Sequence, residues 1–278
     1  MRSFFISLLV MACMVHGNAL GSDALGVRLP WENPSEKEWA QETIRPIASV
    51  LSNRPAKNFY KRVPGKGPYI AFTFDDGPRP WTKEVLDALK ERNLKATFFV
   101  IGRDAARYAK LVKRMVEEGH EVANHSLTHE NSYLHRAPHH VVEKEVRLAH
   151  HAILKITGVA PKVFRPPGGN FTEEQSQWIY DTFGYANINW SVDPGDGRSA
   201  KPSPAVFQRR VMSQVHDGAI ILSHDLWKST IAAIPATLDA LLAKGYQFLT
   251  VSELLALDDP YEAVRMTLED LEVLTKGQ

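Results

Sequence analysis

The chain has 278 residues, of which 44% are hydrophobic and 23% are charged. This length and composition support one sizeable folded domain with a short appendage. The formal net charge is +1, which argues against nucleic acid as a partner, because phosphate binding relies on an excess of Lys and Arg. Beyond residue 20 no apolar run approaches the roughly 18 residues of a membrane-spanning helix, so no span is predicted in the mature protein.

Residues 1–19 are similar to a secretory signal peptide. Arg2 supplies a basic start, an apolar segment covers residues 4–15, and small residues lead to Ala19. The sequence therefore predicts an exported protein, periplasmic or secreted. Cys13 is the only cysteine, so the mature chain is predicted to contain no disulfide. A lipid anchor at Cys13 is the alternative to simple cleavage.

Residues 20–68 are predicted to form an N-terminal extension and linker, because the segment is too short for a core of its own. A capping-box pattern at 35–38 predicts a helix. Lys, Pro and Gly then dominate residues 53–67, which indicates a linker or a loop that wraps the main domain. The main domain is expected to span 69–257, followed by a final helix over 258–278.

From residue 69 onward, short apolar runs alternate with segments of helical periodicity. This alternation implies a parallel sheet with helices outside it. Seven strand–helix units in about 190 residues fit an α/β fold of the distorted (β/α)7 barrel type better than an open sheet. The predicted strands are Tyr69–Phe74, Ala96–Val100, Glu121–Asn124, Val163–Arg165, Ala186–Val192, Ala219–Ser223 and Gln247–Leu249. The predicted helices are Trp81–Arg92, Ala105–Glu118, Val141–Ile156, Glu173–Phe183, Pro204–Val215 and Ile231–Lys244.

Polar clusters follow five of these strands at the point where each strand ends. In a parallel barrel the carboxyl ends of the strands share one rim, where active sites are built. The clusters contain Asp75 and Asp76, His125 and His129, Arg165, Asp193, and His224, after the first, third, fourth, fifth and sixth predicted strands respectively.

The paired histidines indicate a metal site. His125 and His129 are four residues apart, a spacing that brings two side chains to one side of a turn or helix. With Asp76 as a third ligand they make a site with open positions, which is typical of catalytic rather than structural zinc. The ion is expected to be Zn²⁺, with Co²⁺, Ni²⁺ or Mn²⁺ as alternatives. The second carboxylate, Asp75, is then free to take a proton from water.

His224 follows an apolar run, where a histidine is more often a packed core residue. At the same rim as a metal it is instead a candidate general acid that protonates a leaving group. Asp193 is a candidate to orient His224. Arg165 is a candidate to hold a catalytic carboxylate by a charge-assisted hydrogen bond.

The loops after the strands also suggest contacts with a substrate. The amides of Gly168 and Gly169 are candidates to approach a developing oxyanion, and Trp190 offers an aromatic platform. Two other histidine pairs have no matching carboxylates and are expected to be surface or packing residues; they are His139-His140 and His150-His151.

The five clusters appear in the order of the five motifs of the polysaccharide deacetylases, the NodB-like fold of carbohydrate esterase family 4. The chain resembles this family over roughly residues 69–255. The motifs are Thr73–Pro78, His125–His129, Arg165–Gly169, Asp193–Asp196 and Leu222–His224. The resemblance implies a distorted (β/α)7 barrel and hydrolysis of an N-acetyl group from a polysaccharide amino sugar.

The resemblance also implies a role for each motif residue. Asp76, His125 and His129 would hold a divalent metal, usually zinc. Asp75 would be the general base and His224 the general acid. The resemblance further implies that Arg165 positions Asp75, that Asp193 tunes His224, and that Leu222 lines the acetyl pocket.

Two positions depart from the family pattern. Relatives commonly have Tyr where this chain has Gly168, and the backbone amide there serves the oxyanion. Glycine keeps that amide. Relatives also commonly have Trp where this chain has Gly197, so one wall of the acetyl pocket is expected to be open, with Trp190 or Trp227 as candidates to fill it.

The leading hypothesis is an exported, metal-dependent N-deacetylase of a cell-wall polysaccharide. Peptidoglycan is the expected substrate, with chitin-type oligosaccharides or an exopolysaccharide as alternatives. A second hypothesis is a catalytically impaired carbohydrate-binding protein, motivated by the altered third and fourth motifs. A third keeps the enzyme but changes the bond, to an O-acetyl ester or a non-sugar amide.

Overall fold

The computed structural model describes residues 57–65, 67–130, 134–198 and 201–258. The predicted signal peptide, the helix predicted from residue 35 and the predicted C-terminal helix lie outside these residues. Within the described part of the chain, no helix combines the length and the apolar composition needed to cross a bilayer.

The fold is built on one sheet of eight strands that all pair in parallel. The strand order is β1-β6-β5-β4-β3-β2-β7, and β8 pairs with β2. The strands are β1 Phe59–Tyr60, β2 Tyr69–Asp75, β3 Thr97–Val100, β4 Glu121–Asn124, β5 Val163–Phe164, β6 Ala186–Ile188, β7 Ile220–Ile221 and β8 Gln247–Phe248.

Helices follow the strands, as the alternating pattern predicts. The predicted helix from Ala105 to Glu118 is wrong in one respect, because the chain leaves helical geometry at Tyr108 (φ −115°, ψ 38°) and forms two helices. The last helix of the described residues, Val251–Ala256, is not among the predicted helices; a capping box between Thr250 and Glu253 starts it. The helices are α1 Thr82–Lys90, α2 Gly102–Arg107, α3 Ala109–Glu117, α4 His139–Thr157, α5 Glu173–Phe183, α6 Pro204–Gln214, α7 Lys228–Ala243 and α8 Val251–Ala256.

Strand β2 is buried on both faces, which explains its continuous apolar sequence. Ile70, Phe72 and Phe74 face the helices and join the larger hydrophobic cluster. Ala71, between them, joins a second cluster with Phe99 and residues of the other strands. Because side chains alternate along a strand, the two clusters are the outer and inner layers of a barrel-like sheet.

The barrel is distorted where β6 and β7 meet. Hydrogen bonds from Ser191 N to Ile220 O and from Leu222 N to Val192 O, both 3.0 Å, link the two sides after β6 has ended. At the other end of this junction the N-terminal segment, residues 57–65, lies between β6 and the start of β7. Its strand β1 pairs with β6, and Val63 N donates to Gly218 O at 2.9 Å. The predicted fold class is confirmed. The linker predicted over residues 53–67 is wrong at Phe59–Tyr60, which form strand β1 and pair with β6.

The contact between the N-terminal segment and residue 218 leads to a stability prediction. A Cβ on Gly218 (φ +74°) would lie 1.5 Å from Val63 O, whereas one on Gly245 (φ +83°) would meet nothing within 4 Å. Alanine in the left-handed region costs about 1–2 kcal/mol at either position. We expect Gly218→Ala to lower the free energy of unfolding by about 1–3 kcal/mol more than Gly245→Ala, because only the first forces the segment away.

Chemical denaturation of both variants and the parent protein measures this difference. Equal losses for Gly218→Ala and Gly245→Ala would show that the N-terminal segment contributes little to the stability of the sheet.

Candidate active site

The predicted catalytic residues come together at the carboxyl ends of the strands. Asp75 is the last residue of β2, and Asp76 follows it. His125 follows β4 and Arg165 follows β5. His224 lies three residues beyond β7, and a bridge pairs its backbone with that of Asp75.

Three of these residues form a compact group of potential metal ligands. One oxygen of Asp76, Oδ1, lies 3.2 Å from His125 Nε2 and 3.2 Å from His129 Nε2. One ligand atom from each residue lies within 4.8 Å of the others. Asp76 has φ +68°, in the left-handed region, so the chain leaves strand geometry directly after Asp75.

The chemistry of this group fits a divalent cation. Asp76 Oδ1 is buried and has no hydrogen-bond partner. His125 Nδ1 lies 2.7 Å from Arg165 O, so that nitrogen carries the proton of the neutral ring and Nε2 presents its lone pair. Asp76 Oδ1 and the two Nε2 atoms therefore face one another as electron-pair donors, an arrangement that a cation stabilises.

The electrostatics of the group agree with cation binding. Burial raises the pKa of Asp76, but the two histidines and His224 outweigh it and hold that pKa well below its usual range. Burial lowers the pKa of His129, and the neighbouring His125 lowers it further, which favours the neutral ring. Burial also lowers the pKa of His125, but Asp75 and Asp76 outweigh it and raise that pKa. A metal ion at the site would compete with a proton for Nε2 of His125.

Asp75 is held by a different partner, Arg165. Both residues are buried, and Arg165 Nη1 donates to Asp75 Oδ1 at 2.6 Å. The same nitrogen donates to Thr73 Oγ1 at 2.8 Å, and the guanidinium carbon lies 4.0 Å from the centre of the Phe99 ring. The second oxygen of Asp75 lies 3.9 Å from His125 Nε2, so it remains beside the candidate metal ligands.

His224 is oriented by Asp196 and not by Asp193. Asp196 is fully buried; its Oδ1 lies 2.9 Å from His224 Nδ1, and its Oδ2 accepts from His224 N at 2.8 Å. Thr230 Oγ1 also donates to Asp196 Oδ2, at 3.1 Å. Burial lowers the pKa of His224, but the hydrogen bond and charge of Asp196, together with Asp75 and Asp76, raise it to about 9.

The prediction that Asp193 orients His224 is therefore wrong. Asp193 Oδ1 accepts from Gly195 N at 2.7 Å, and Oδ2 lies 3.5 Å from Arg198 Nη2. The side chain closes its own Asp-Pro-Gly turn, as Asp commonly does two residues before a backbone N–H. This turn chemistry is the sequence signal that separates Asp193 from Asp196.

The predicted substrate-contacting residues lie at the same rim. Leu222 follows β7 and is almost fully buried. Trp190 lies 5.6 Å from the Arg165 guanidinium, measured to the centre of the ring. It packs against Gly169, where a Cβ would lie 2.7 Å from its ring. The Gly169 amide donates to Pro166 O at 2.8 Å and is not directed at a substrate, so only the Gly168 amide (φ +70°) remains a candidate for the oxyanion.

The glycine at 197 lies directly against the candidate acid. A Cβ there would lie 2.7 Å from His224 Cε1, so in this backbone geometry any side chain at 197 displaces the imidazole. Trp227 is 39% exposed, with Lys201 Nζ 4.1 Å from the centre of its ring.

A second buried acid near the site, besides Asp196, has no predicted role. Asp225 is fully buried and accepts a hydrogen bond from Thr82 Oγ1, and burial raises its pKa to about 7. A Cβ on Gly77 would lie 2.4 Å from both Asp225 oxygens. Only glycine at 77 leaves room for the Asp225 carboxylate against the backbone. No sequence pattern indicates this contact.

Comparison with known proteins agrees with this geometry. A family model described as polysaccharide deacetylase matches residues 62–188. Over 199 residues the chain is 36% identical to a peptidoglycan-N-acetylglucosamine deacetylase of Bacillus cereus, covering 69% of this chain and 91% of that protein. The chain belongs to the polysaccharide deacetylase family. The family predicted from the sequence motifs is thereby confirmed.

Two further relatives are informative: one is a much longer protein, and the other is described as a pseudoenzyme. The chain is 39% identical over 186 residues to the peptidoglycan-N-acetylglucosamine deacetylase PgdA of Listeria monocytogenes, covering 66% of this chain but only 38% of that protein. Its fold is similar to the crystal structure of a CE4 family pseudoenzyme from Bacillus anthracis. That match has a TM-score of 0.65 and 30% identity, and covers 72% of this chain and 69% of the other.

The contacts of His224 predict the effect of two matched substitutions. Asp196→Asn removes the charge that raises the pKa of His224, so this pKa should fall from about 9 toward the ordinary value of 6.5. Asp193→Asn should leave it unchanged, because Asp193 does not contact the ring. Titration of the His224 ring signals by NMR, in metal-free protein, measures both. A fall in Asp193→Asn and none in Asp196→Asn would reverse the assignment.

The same shift affects the pH dependence of stability. The pKa of His224 is higher in the folded chain than its ordinary value. Its protonation therefore stabilises the fold fully below about pH 6.5, and this contribution is lost as the pH rises through about 9.

Proposed function

We propose that the chain is a metal-dependent hydrolase that removes N-acetyl groups from amino sugars of a cell-wall polysaccharide. One observation carries this proposal: a candidate base, Asp75, and a candidate acid, His224, both lie beside the three candidate metal ligands, and each is held by a partner of its own. Asp75 Oδ2 lies 3.9 Å from His125 Nε2, and His224 Nε2 lies 4.0 Å from Asp76 Oδ2. A base and an acid thus border one group of candidate metal ligands, as amide hydrolysis requires.

The trio of Asp76, His125 and His129 would hold the divalent metal, and we propose Zn²⁺. Two imidazoles and one carboxylate leave coordination positions open, which is typical of a catalytic zinc site. Such an ion supplies Lewis acidity that polarises a carbonyl and makes water a better nucleophile near neutral pH. Co²⁺, Ni²⁺ and Mn²⁺ are the alternatives that metal-replacement assays would separate.

The remaining steps are proton transfers by this chain's own residues. Asp75 accepts a proton from the attacking water, while Arg165 holds the carboxylate in place through Oδ1. In the metal-free protein the pKa of His224 is raised to about 9. Asp196 accepts its Nδ1–H, so Nε2–H is the proton available to the leaving nitrogen. The C–N bond breaks, and the products are acetate and a free amine.

We propose peptidoglycan as the substrate and an exported location, periplasmic or secreted. The named Listeria and Bacillus cereus relatives are peptidoglycan-N-acetylglucosamine deacetylases, and residues 1–19 are similar to a signal peptide. Leu222, Trp190 and the Gly168 amide would contact the acyl group or the sugar. Chitin-type oligosaccharides and exopolysaccharides remain the alternative substrates.

A second candidate function is carbohydrate binding without catalysis. The similarity to a CE4 family pseudoenzyme of Bacillus anthracis favours it, as does glycine at 197. The complete set of base, acid and ligand side chains favours the enzyme instead.

The base assignment predicts the behaviour of Asp75→Asn. The amide oxygen can still accept from Arg165, but it cannot take a proton from water, so we expect turnover to fall by at least about 100-fold with metal still bound. Acetate release from peptidoglycan and from chitin oligosaccharides, with metal content measured in parallel, tests this. Asp193→Asn is the control and should retain activity. A fully active Asp75→Asn protein would contradict the mechanism.

The ligand assignment predicts a different result for His125→Ala. This change removes one of three ligands, so metal and activity should be lost together. Elemental analysis after dialysis, beside the acetate assay, measures both. Full metal occupancy in His125→Ala would contradict the assignment of His125 as a metal ligand. Glycan binding without acetate release, in metal-loaded parent protein, would support the second candidate function.

A further inference from the structure

Two of the candidate metal ligands lie at the ends of a loop, residues 125–129, that is neither helix nor strand. We call this segment the ligand loop. Its Ser126 and His129 have φ values of +66° and +54°, a region that costs free energy for residues other than glycine. Such a loop keeps its shape only if its surroundings satisfy its backbone polar groups.

Three of the five carbonyl groups of the ligand loop accept hydrogen bonds from helix α2. Gly102 N donates to Ser126 O at 3.0 Å, and Arg103 N donates to Leu127 O at 2.9 Å. Arg103 Nη2 also donates to Thr128 O, at 3.4 Å. The break at Tyr108 that divides the predicted helix leaves α2 as a separate short element beside the loop.

Two of the loop's N–H groups are satisfied close by in sequence. Ser126 N donates to Asn124 Oδ1 at 2.9 Å, and His129 N donates to Ser126 Oγ at 3.2 Å. These bonds are local and would form with little help from the rest of the fold.

Of the remaining three N–H groups, that of His125 donates to Val100 O at 3.0 Å. Those of Leu127 and Thr128 depend on one distant side chain, Glu145 of α4. Glu145 Oε2 accepts from Leu127 N at 3.1 Å and from Thr128 N at 2.9 Å. Its second oxygen accepts from Thr128 Oγ1 at 3.1 Å. A single, partly buried carboxylate therefore holds the middle of the ligand loop through three hydrogen bonds.

We propose that Glu145 is a positioning residue for the metal site: it holds the ligand loop in the shape that directs both His125 and His129 toward Asp76. This inference rests on the metal site of the proposed function. Glu145 is not one of the three ligands and acts through the backbone. Without its carboxylate, two adjacent N–H groups lose their acceptor, and the strained loop loses the restraint between its two histidines.

Three substitutions separate positioning from charge and from general helix stability. Glu145→Ala removes every bond to the loop. Glu145→Gln removes the charge but keeps an oxygen for both N–H groups, and its amide can donate to Thr128 Oγ1. Glu143→Ala is the matched control on the same helix, where the carboxylate pairs with Arg147 at 2.6 Å on the surface.

Zn²⁺ affinity, measured by competition with a chromophoric chelator, is the first readout. We expect Glu145→Ala to bind Zn²⁺ about 10- to 100-fold more weakly than the parent, while Glu145→Gln and Glu143→Ala stay close to it. Equal affinity in Glu145→Ala and the parent would overturn the proposal. Equal weakening in Glu145→Gln and Glu145→Ala would overturn it too, because charge and not position would then be the cause.

Amide hydrogen exchange in metal-free protein is the second readout and does not depend on the metal. The Leu127 and Thr128 amides should be protected in the parent and in Glu145→Gln and should exchange fast in Glu145→Ala. If the parent binds no Zn²⁺, the proposed function fails, while exchange still shows whether Glu145 holds the loop. Unchanged protection in Glu145→Ala, or loss of the whole fold in that variant, would overturn the positioning role.

Discussion

The geometry of the site depends on the buried ion pair between Arg165 and Asp75. Removing two charges from water costs several kcal/mol each unless their hydrogen-bonding groups are satisfied. Arg165 meets this demand through Asp75 and Thr73 on β2, and its Nε donates to Ile188 O at 2.9 Å on β6. A residue that follows β5 is therefore bonded to two other strands, and any shift of one strand against another breaks a charged hydrogen bond.

The pair also explains how adjacent aspartates can have different chemistry. Asp75 keeps strand geometry and turns inward to Arg165, so one of its oxygens is occupied. Asp76 leaves the strand with a positive φ and meets two histidines that present lone pairs. One carboxylate is thus suited to accept a proton and the other to bind a cation, although they are neighbours in sequence.

Much of this site was predictable because its chemistry needs particular residue types at the ends of parallel strands. The alternating pattern predicted the fold, and the residue types of Asp76, His125 and His129 suggested their grouping. Asp196 was missed because local turn geometry, and not spacing, decides which aspartate reaches His224. Glu145 was missed for a different reason: its role exists only once helix α4 packs beside the ligand loop.

The same limit applies to secondary structure. Strand β1 has two residues, and its neighbours are rich in Lys, Pro and Gly, so no periodicity distinguishes it from a linker. Its assignment comes from pairing with β6, more than 120 residues later in the chain. The split between α2 and α3 is likewise absent from the sequence pattern, since the helical periodicity runs on through Tyr108.

The position of β2 in the sheet has a consequence for how the site forms. This strand pairs with β3 soon after it in sequence, but also with β7 and β8 near the far end of the domain. The Asp75–Arg165 bond joins residues 90 positions apart, and such contacts close large loops and form slowly. A growing chain therefore cannot complete the catalytic centre until β7, which precedes His224, has been synthesised and has paired with β2.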